Sequence, residues 1–133
     1  MQLDFYRPKN EILKKYIEGY YFISPTPKHQ TITYWTFPNN YFIVSVNRGA
    51  SIEMTERNII ISNSDQDNII SDFVTHYTSP IEVIYTDAVP EITIYFKPLG
   101  INYFVDKADK FFKEKNALNF NPFSDFDEVM KRI

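Results

Sequence analysis

The chain's 133 residues fit one domain, and 44% hydrophobic with 17% aromatic content is enough for one packed core. A net charge of −3, with basic residues scattered singly or in pairs such as Lys14–Lys15 and Lys131–Arg132, argues against this chain gripping nucleic acid by itself. Three glycines exclude a glycine-rich phosphate cradle, and the lack of cysteine excludes disulfides, zinc–thiolate sites and cysteine nucleophiles.

The N-terminus, Met1-Gln2-Leu3-Asp4-Phe5, has no basic region followed by an apolar run, so no signal peptide is read there. No apolar stretch approaches the roughly 20 residues of a membrane helix. A cytoplasmic chain with no membrane partner is the expectation. From Tyr16 to Tyr95 the hydrophobic period is near two. Ile32 and Tyr34 alternate with Thr31, Thr33 and Trp35, and Phe42, Val44 and Val46 alternate with Ile43, Ser45 and Asn47. Runs at Ile81/Val83/Tyr85 and Ile92/Ile94/Phe96 follow. Turn signals at Ser24-Pro25-Thr26-Pro27, Pro38-Asn39-Asn40, Arg48-Gly49, Asn63-Ser64-Asp65, Ser79-Pro80 and Ala88-Val89-Pro90 separate them. Short β-branched and aromatic runs without crossover helices predict a mainly β fold, an antiparallel barrel or sandwich over about residues 16–97.

After Lys97 the period becomes helical. Pro98 suits a first helical position, and Ile101, Phe104, Val105 and Ala108 recur at helical spacing, predicting a helix over about residues 98–106. A second helix over about residues 122–132 is predicted from Asn121-Pro122, the Ser124/Asp127 capping-box spacing and the stripe Phe123, Phe126, Val129 and Met130. Lacking a C-cap signal before Ile133, it reads as continuing in a longer protein.

Residues able to carry chemistry are sparse. His29 and His76 have no second histidine within ligand spacing, whereas a metal site needs three or more convergent ligands. His29 reads as a loop or strand-end residue and His76 as a strand residue with a satisfied ring. The serines lie in turns or at polar strand positions, outside any Gly-x-Ser-x-Gly setting. Asp65/Asp67 and Asp125/Asp127 read as turn and helix-start residues. Glu82 and Glu91 are strand residues able to enter a cavity, but the phase opposite Val83 and Ile92 favours the outer face. These observations predict no enzyme activity, no cofactor and no metal. The aromatic surplus is different: Trp35 and many tyrosines supply both apolar faces and polar tips, as a small-molecule pocket requires, although aromatic residues also simply fill cores.

Three segments together resemble one family. Pro8-x4-Leu13-x2-Tyr16-Ile17-x2-Tyr20-Tyr21 resembles the opening of AraC-type sensor domains. Phe37-Pro38-Asn39-Asn40, followed by the apolar run Tyr41–Val46 and then Asn47-Arg48-Gly49, is similar to that family's turn and following strand. Phe96-Lys97-Pro98-Leu99-Gly100 resembles its last strand turning into a helix, and is the most specific of the three. The resemblance spans roughly residues 8–133. Asn40 stands at the turn glycine, Ile43 where an acidic residue is frequent, and His76 where a glycine is common.

The resemblance implies a cupin-like β-barrel followed by dimerising or connecting helices. It also implies a single regulatory sensing and dimerisation domain spanning residues 1–133. An unknown small-molecule effector and a homodimer are the implied partners. The family's helix-turn-helix units are absent from this chain, so DNA is a partner only through a missing C-terminal domain. Alternatives are a cupin-like metalloenzyme and a pure dimerisation module with a filled core. The expected ligand-lining residues are Trp35, Phe37, Phe42, Val44, His76 and Tyr95. They follow from the shared phase of Trp35 with Phe37 and of Phe42 with Val44, from a Pro38-Asn39-Asn40 turn placing their strands side by side, from Tyr95's polar tip, and from the departure at His76.

Overall fold

A computed structural model describes residues 2–25, 31–74, 78–87, 89–105, 116–118 and 124–133. Ten strands are seen among them: β1 (Gln2–Tyr6), β2 (Ile17–Ser24), β3 (Ile32–Thr36), β4 (Phe42–Arg48), β5 (Ala50–Met54), β6 (Asn58–Asn63), β7 (Ile69–Val74), β8 (Ile81–Tyr85), β9 (Glu91–Phe96) and β10 (Asn116–Leu118). One helix, α1 (Phe126–Lys131), follows. The strands form a six-stranded sheet in the order β1-β2-β9-β4-β7-β10 and a four-stranded sheet in the order β3-β8-β6-β5. The fold is mainly β, as the period of two predicts. Pairing is antiparallel except between β6 and β8, which run parallel because the chain crosses to the larger sheet for β7 between them.

The chain changes sheets repeatedly. At the first β4-to-β5 residue, Gly49 adopts a left-handed φ of 66°, which lets Arg48 end one sheet and Ala50 begin the other. The Pro38-Asn39-Asn40 turn also changes sheets: β3 pairs with β8, whereas β4 lies between β7 and β9. The expectation that this turn sets β3 beside β4 is therefore corrected. Asn39 shapes the turn, its Nδ2 donating to the Phe37 carbonyl at 3.1 Å and its Oδ1 accepting from the Tyr41 amide at 2.8 Å.

The larger sheet is buried on both faces. Its inner face packs Tyr21, Ile23, Ile43 and Val74 against Ile52, Ile59, Ile61, Ile81, Val83 and Tyr85 of the smaller sheet. Its outer face carries a second core, in which Phe42, Val44, Val46, Phe73 and Phe96 pack with Ile101, Val105 and Phe126 from the C-terminal part of the chain. Among the described residues, the smaller sheet is covered on one face only. Its opposite face presents exposed Thr33, Trp35, Ser51 and Glu53.

The C-terminal elements are shorter than predicted. The segment expected as a helix over residues 98–106 contains a 3-10 turn at Gly100–Tyr103, entered through Leu99 at φ 62°. In the second expected helix, α1 starts after Asp125 and no side chain caps it, so the Ser124/Asp127 capping box does not form. Gly100 sits directly against the backbone of Tyr16, and any Cβ there would collide with the Tyr16 carbonyl. This close approach docks the 3-10 turn at the start of β2.

The junction makes a paired prediction. Leu99→Gly relieves a left-handed backbone costing about 1–2 kcal/mol for an L-residue, less roughly 0.5–1 kcal/mol of added chain entropy, so it stabilises modestly. Gly100→Ala destabilises by about 1–3 kcal/mol through overpacking. Urea unfolding of both variants checks the opposite signs. Equal effects would show that the junction is not constrained as described.

Candidate functional site

Between the sheets lies a polar cluster that contrasts with the aliphatic core around it. Cross-strand register builds it: Ser45 of β4 pairs with Thr93 of β9 on one side and Asp72 of β7 on the other, and in the next row Asn47 pairs with Glu91. Side chains two apart share a face, so Glu91, Thr93 and Tyr95 all project towards the smaller sheet. Glu91 is 4% exposed and Asp72 4% exposed, unusual for carboxylates.

Glu91 is held by donors from both sheets. The Tyr85 hydroxyl of β8 donates to both of its oxygens, at 2.9 and 3.0 Å. Asn47 Nδ2 donates to Oε1 at 3.0 Å, and the Thr93 hydroxyl to Oε2 at 2.8 Å. With the Thr93 proton used there, the Ser45 hydroxyl, 2.8 Å away, is the donor to Thr93. Tyr34 stacks on Tyr85 with ring centroids 6.1 Å apart, and its hydroxyl end lies near those of Tyr21 and Tyr85. Tyr34 is exposed as a residue, but this hydroxyl end enters the interlayer. Tyr95 completes an aromatic wall, 6.0 Å from both Tyr21 and Tyr41.

Burial governs the ionisation of this cluster. The Asp72 carboxyl is raised well above its ordinary value, chiefly by loss of solvent and secondarily by the Glu91 carboxylate. Burial, with Glu91 as the next cause, also pushes the Tyr21, Tyr34 and Tyr85 hydroxyls upward, so they remain protonated donors. Among the described residues no buried lysine or arginine accompanies the two carboxylates. Also among the described residues, no group of three His, Cys, Asp or Glu is placed to hold a metal ion.

Of the six residues expected to line a pocket, the five described ones are not brought together. Tyr95 is half-buried and packs on the interlayer core. Phe42 and Val44 are buried in the opposite core, beneath the C-terminal elements. Trp35 and Phe37 are 52% and 63% exposed. On β3 the inward residue is Tyr34, so the smaller sheet contributes a tyrosine where tryptophan was expected. His76, like His29, lies outside the described residues. Glu82 does occupy the uncovered face, accepting a hydrogen bond from Asn58 at 3.1 Å, but Glu91 corrects its own expectation by facing inward. The more apolar phase of a strand does not by itself mark the inner face here. In a sheet covered on both sides, the apolar phase Ile92/Ile94/Phe96 packs outward, leaving Glu91, Thr93 and Tyr95 inside.

A concavity of about 230 Å³ opens beside α1 at the ends of β2 and β4 and the start of β9, and Asn47 and Glu91 are among the residues that line it. Phe22, Val46, Ile69, Ile92, Met130 and Ile133 form much of its wall. It is smaller than the roughly 300–1,000 Å³ of ordinary ligand pockets. Beside it, Arg48 grips Asp67 through two hydrogen bonds, of 2.7 and 3.0 Å, and donates to the Lys131 carbonyl at the end of α1 at 3.0 Å. Satisfying a terminal helix carbonyl in this way ties α1 to the end of β4.

Asp72 yields a pH prediction. Because its folded-state pKa is raised, its favourable contribution is complete below the unfolded value of about 3.9 and is lost as pH climbs through the higher folded value. Asp72→Asn does not titrate, so its stability relative to the parent should grow as pH rises from about 4 towards neutrality. Urea unfolding of both proteins across that interval measures the difference. A difference independent of pH would contradict the burial of a titrating Asp72.

Comparison of the chain with known protein families, with curated proteins and with solved structures finds no match.

Proposed function

We propose that this chain is the small-molecule-sensing and dimerisation module of an AraC-type transcription regulator, with its effector site at the interlayer cluster around Glu91. The observation that carries the proposal is a carboxylate buried between two sheets and contacted by side chains of both. Buried polar groups restrict which partners an interior tolerates, and a site spanning two sheets senses their relative position. The sequence resemblance adds the family context through the Pro8–Tyr21, Phe37–Gly49 and Phe96–Gly100 segments.

Coupling runs through the larger sheet. Glu91, Thr93, Asn47 and Ser45 line its inner side, while Val44, Val46, Ile92 and Ile94 on the same two strands support α1 on its outer side. A ligand that binds one arrangement of the sheets more tightly biases the seating of α1, and with it any attached DNA-binding unit. The fully hydrogen-bonded state of Glu91 favours a second reading, in which the cluster is purely structural and the module only dimerises.

Native mass spectrometry separates these readings because it reports retained ligand and oligomeric state together. The sensor reading predicts a dimer carrying a dissociable small molecule when isolated gently from cells. A ligand-free dimer would favour the structural reading, and a ligand-free monomer at micromolar concentration would contradict both.

A further inference from the structure

Donors and acceptors in the interlayer cluster are unequal. Glu91 takes the hydroxyl protons of Tyr85 and Thr93 and one N–H of Asn47 Nδ2. Asn47 is 0% exposed, yet its Oδ1, at the other end of the amide bonded to Glu91, is buried without a hydrogen-bond partner. Such an atom costs about 1–3 kcal/mol unless a donor reaches it. Asp72, on the neighbouring strand, is a second buried carboxyl, one that loss of solvent shifts towards its proton-bearing form. What this interior lacks among the described residues is a basic side chain to set against the Glu91 carboxylate.

The surrounding surface is also selective. Tyr21, Tyr34, Tyr85 and Tyr95 line the cluster, and tyrosine ring faces attract cations. An anionic ligand would bring its charge beside the Glu91 carboxylate with no buried lysine or arginine among the described residues to offset it. A neutral alcohol can supply one donor but no charge. An ammonium group supplies both, and its apolar substituent suits the ring faces.

We propose that the interlayer site recognises a small organic cation, an alkyl- or arylammonium compound. Its N–H groups are taken by Asp72 and Asn47 Oδ1 beside the Glu91 carboxylate, and its carbon skeleton lies against the tyrosine rings. This inference rests on the sensor reading and names the chemical class of its effector.

The test uses the full 133-residue chain at about pH 8, where histidine side chains are mostly neutral. Calorimetric titrations compare butylamine with butanol and butyrate, and 2-phenylethylamine with 2-phenylethanol and phenylacetate. Potassium chloride serves as an inorganic-cation control. At least one amine should bind about tenfold more tightly than its matched alcohol, with no detectable binding of the carboxylate. Asp72→Asn and Glu91→Gln, each first verified as folded by circular dichroism, should weaken that amine by about tenfold or more. If one variant fails to fold, the other still decides the result.

Equal or tighter binding of the alcohols or carboxylates would overturn the cation assignment while leaving ligand sensing intact. So would competition by potassium equal to that of the amine. Failure of every amine to bind overturns it as well; native mass spectrometry then tells whether the sensor reading survives, through a retained molecule of another class, or falls with it.

Discussion

A carboxylate removed from water between two β-sheets must be met by donors, because its desolvation is far larger than the worth of any one hydrogen bond. Glu91 meets this requirement through Thr93 and Asn47 in its own sheet and Tyr85 in the facing sheet. The Tyr85 contact bridges the two layers at a point where packing alone would leave them free to adjust. Tyr34 and Tyr21 extend the connection to β3 and β2. The interior consequently has two regimes: an aliphatic region built from Ile52, Ile59, Ile61, Ile81 and Val83, and a polar band centred on Glu91.

The second organising feature is burial of the larger sheet on both faces. A strand covered on one side alternates cleanly between apolar and polar residues, and its apolar phase identifies the core. That inference works for β5, β6 and β8 of the smaller sheet. In β4 both phases are buried from Phe42 to Val44, and in β9 the more apolar phase faces away from the other sheet. The period of two therefore revealed the strands and the β class, but not which side of the larger sheet faced its partner. The same ambiguity explains why Phe42 and Val44 were expected in the pocket and Glu91 outside it. Its signal was nevertheless present: Glu91, Thr93 and Tyr95 form a polar-tipped phase matched across β4 by Asn47, Ser45 and Ile43.

Other features lie beyond a single sequence for physical reasons. Helical spacing at Ile101, Phe104 and Val105 correctly marked apolar residues, but the short 3-10 turn is fixed by Gly100 pressing on Tyr16, a contact between distant segments. The parallel β6–β8 pair arises because β7 joins the other sheet, which local patterning does not encode. The Arg48 link joins a strand end, the loop containing Asp67 and the last turn of α1. Exposed ion pairs of this kind contribute little stability, so its importance in the proposed sensor is the placement of α1 rather than the strength of the fold.

The most direct measurement of the account is a double-mutant cycle on the bridge between the sheets. Tyr85→Phe leaves Glu91 short of a donor, Glu91→Met leaves Tyr85 short of its acceptor, and the double variant removes both needs together. Equilibrium unfolding should therefore give a coupling of about 1.5–3 kcal/mol, the double variant being less destabilised than the sum of the singles. Additivity within about 0.5 kcal/mol would contradict the Tyr85–Glu91 interaction as the link between the two layers.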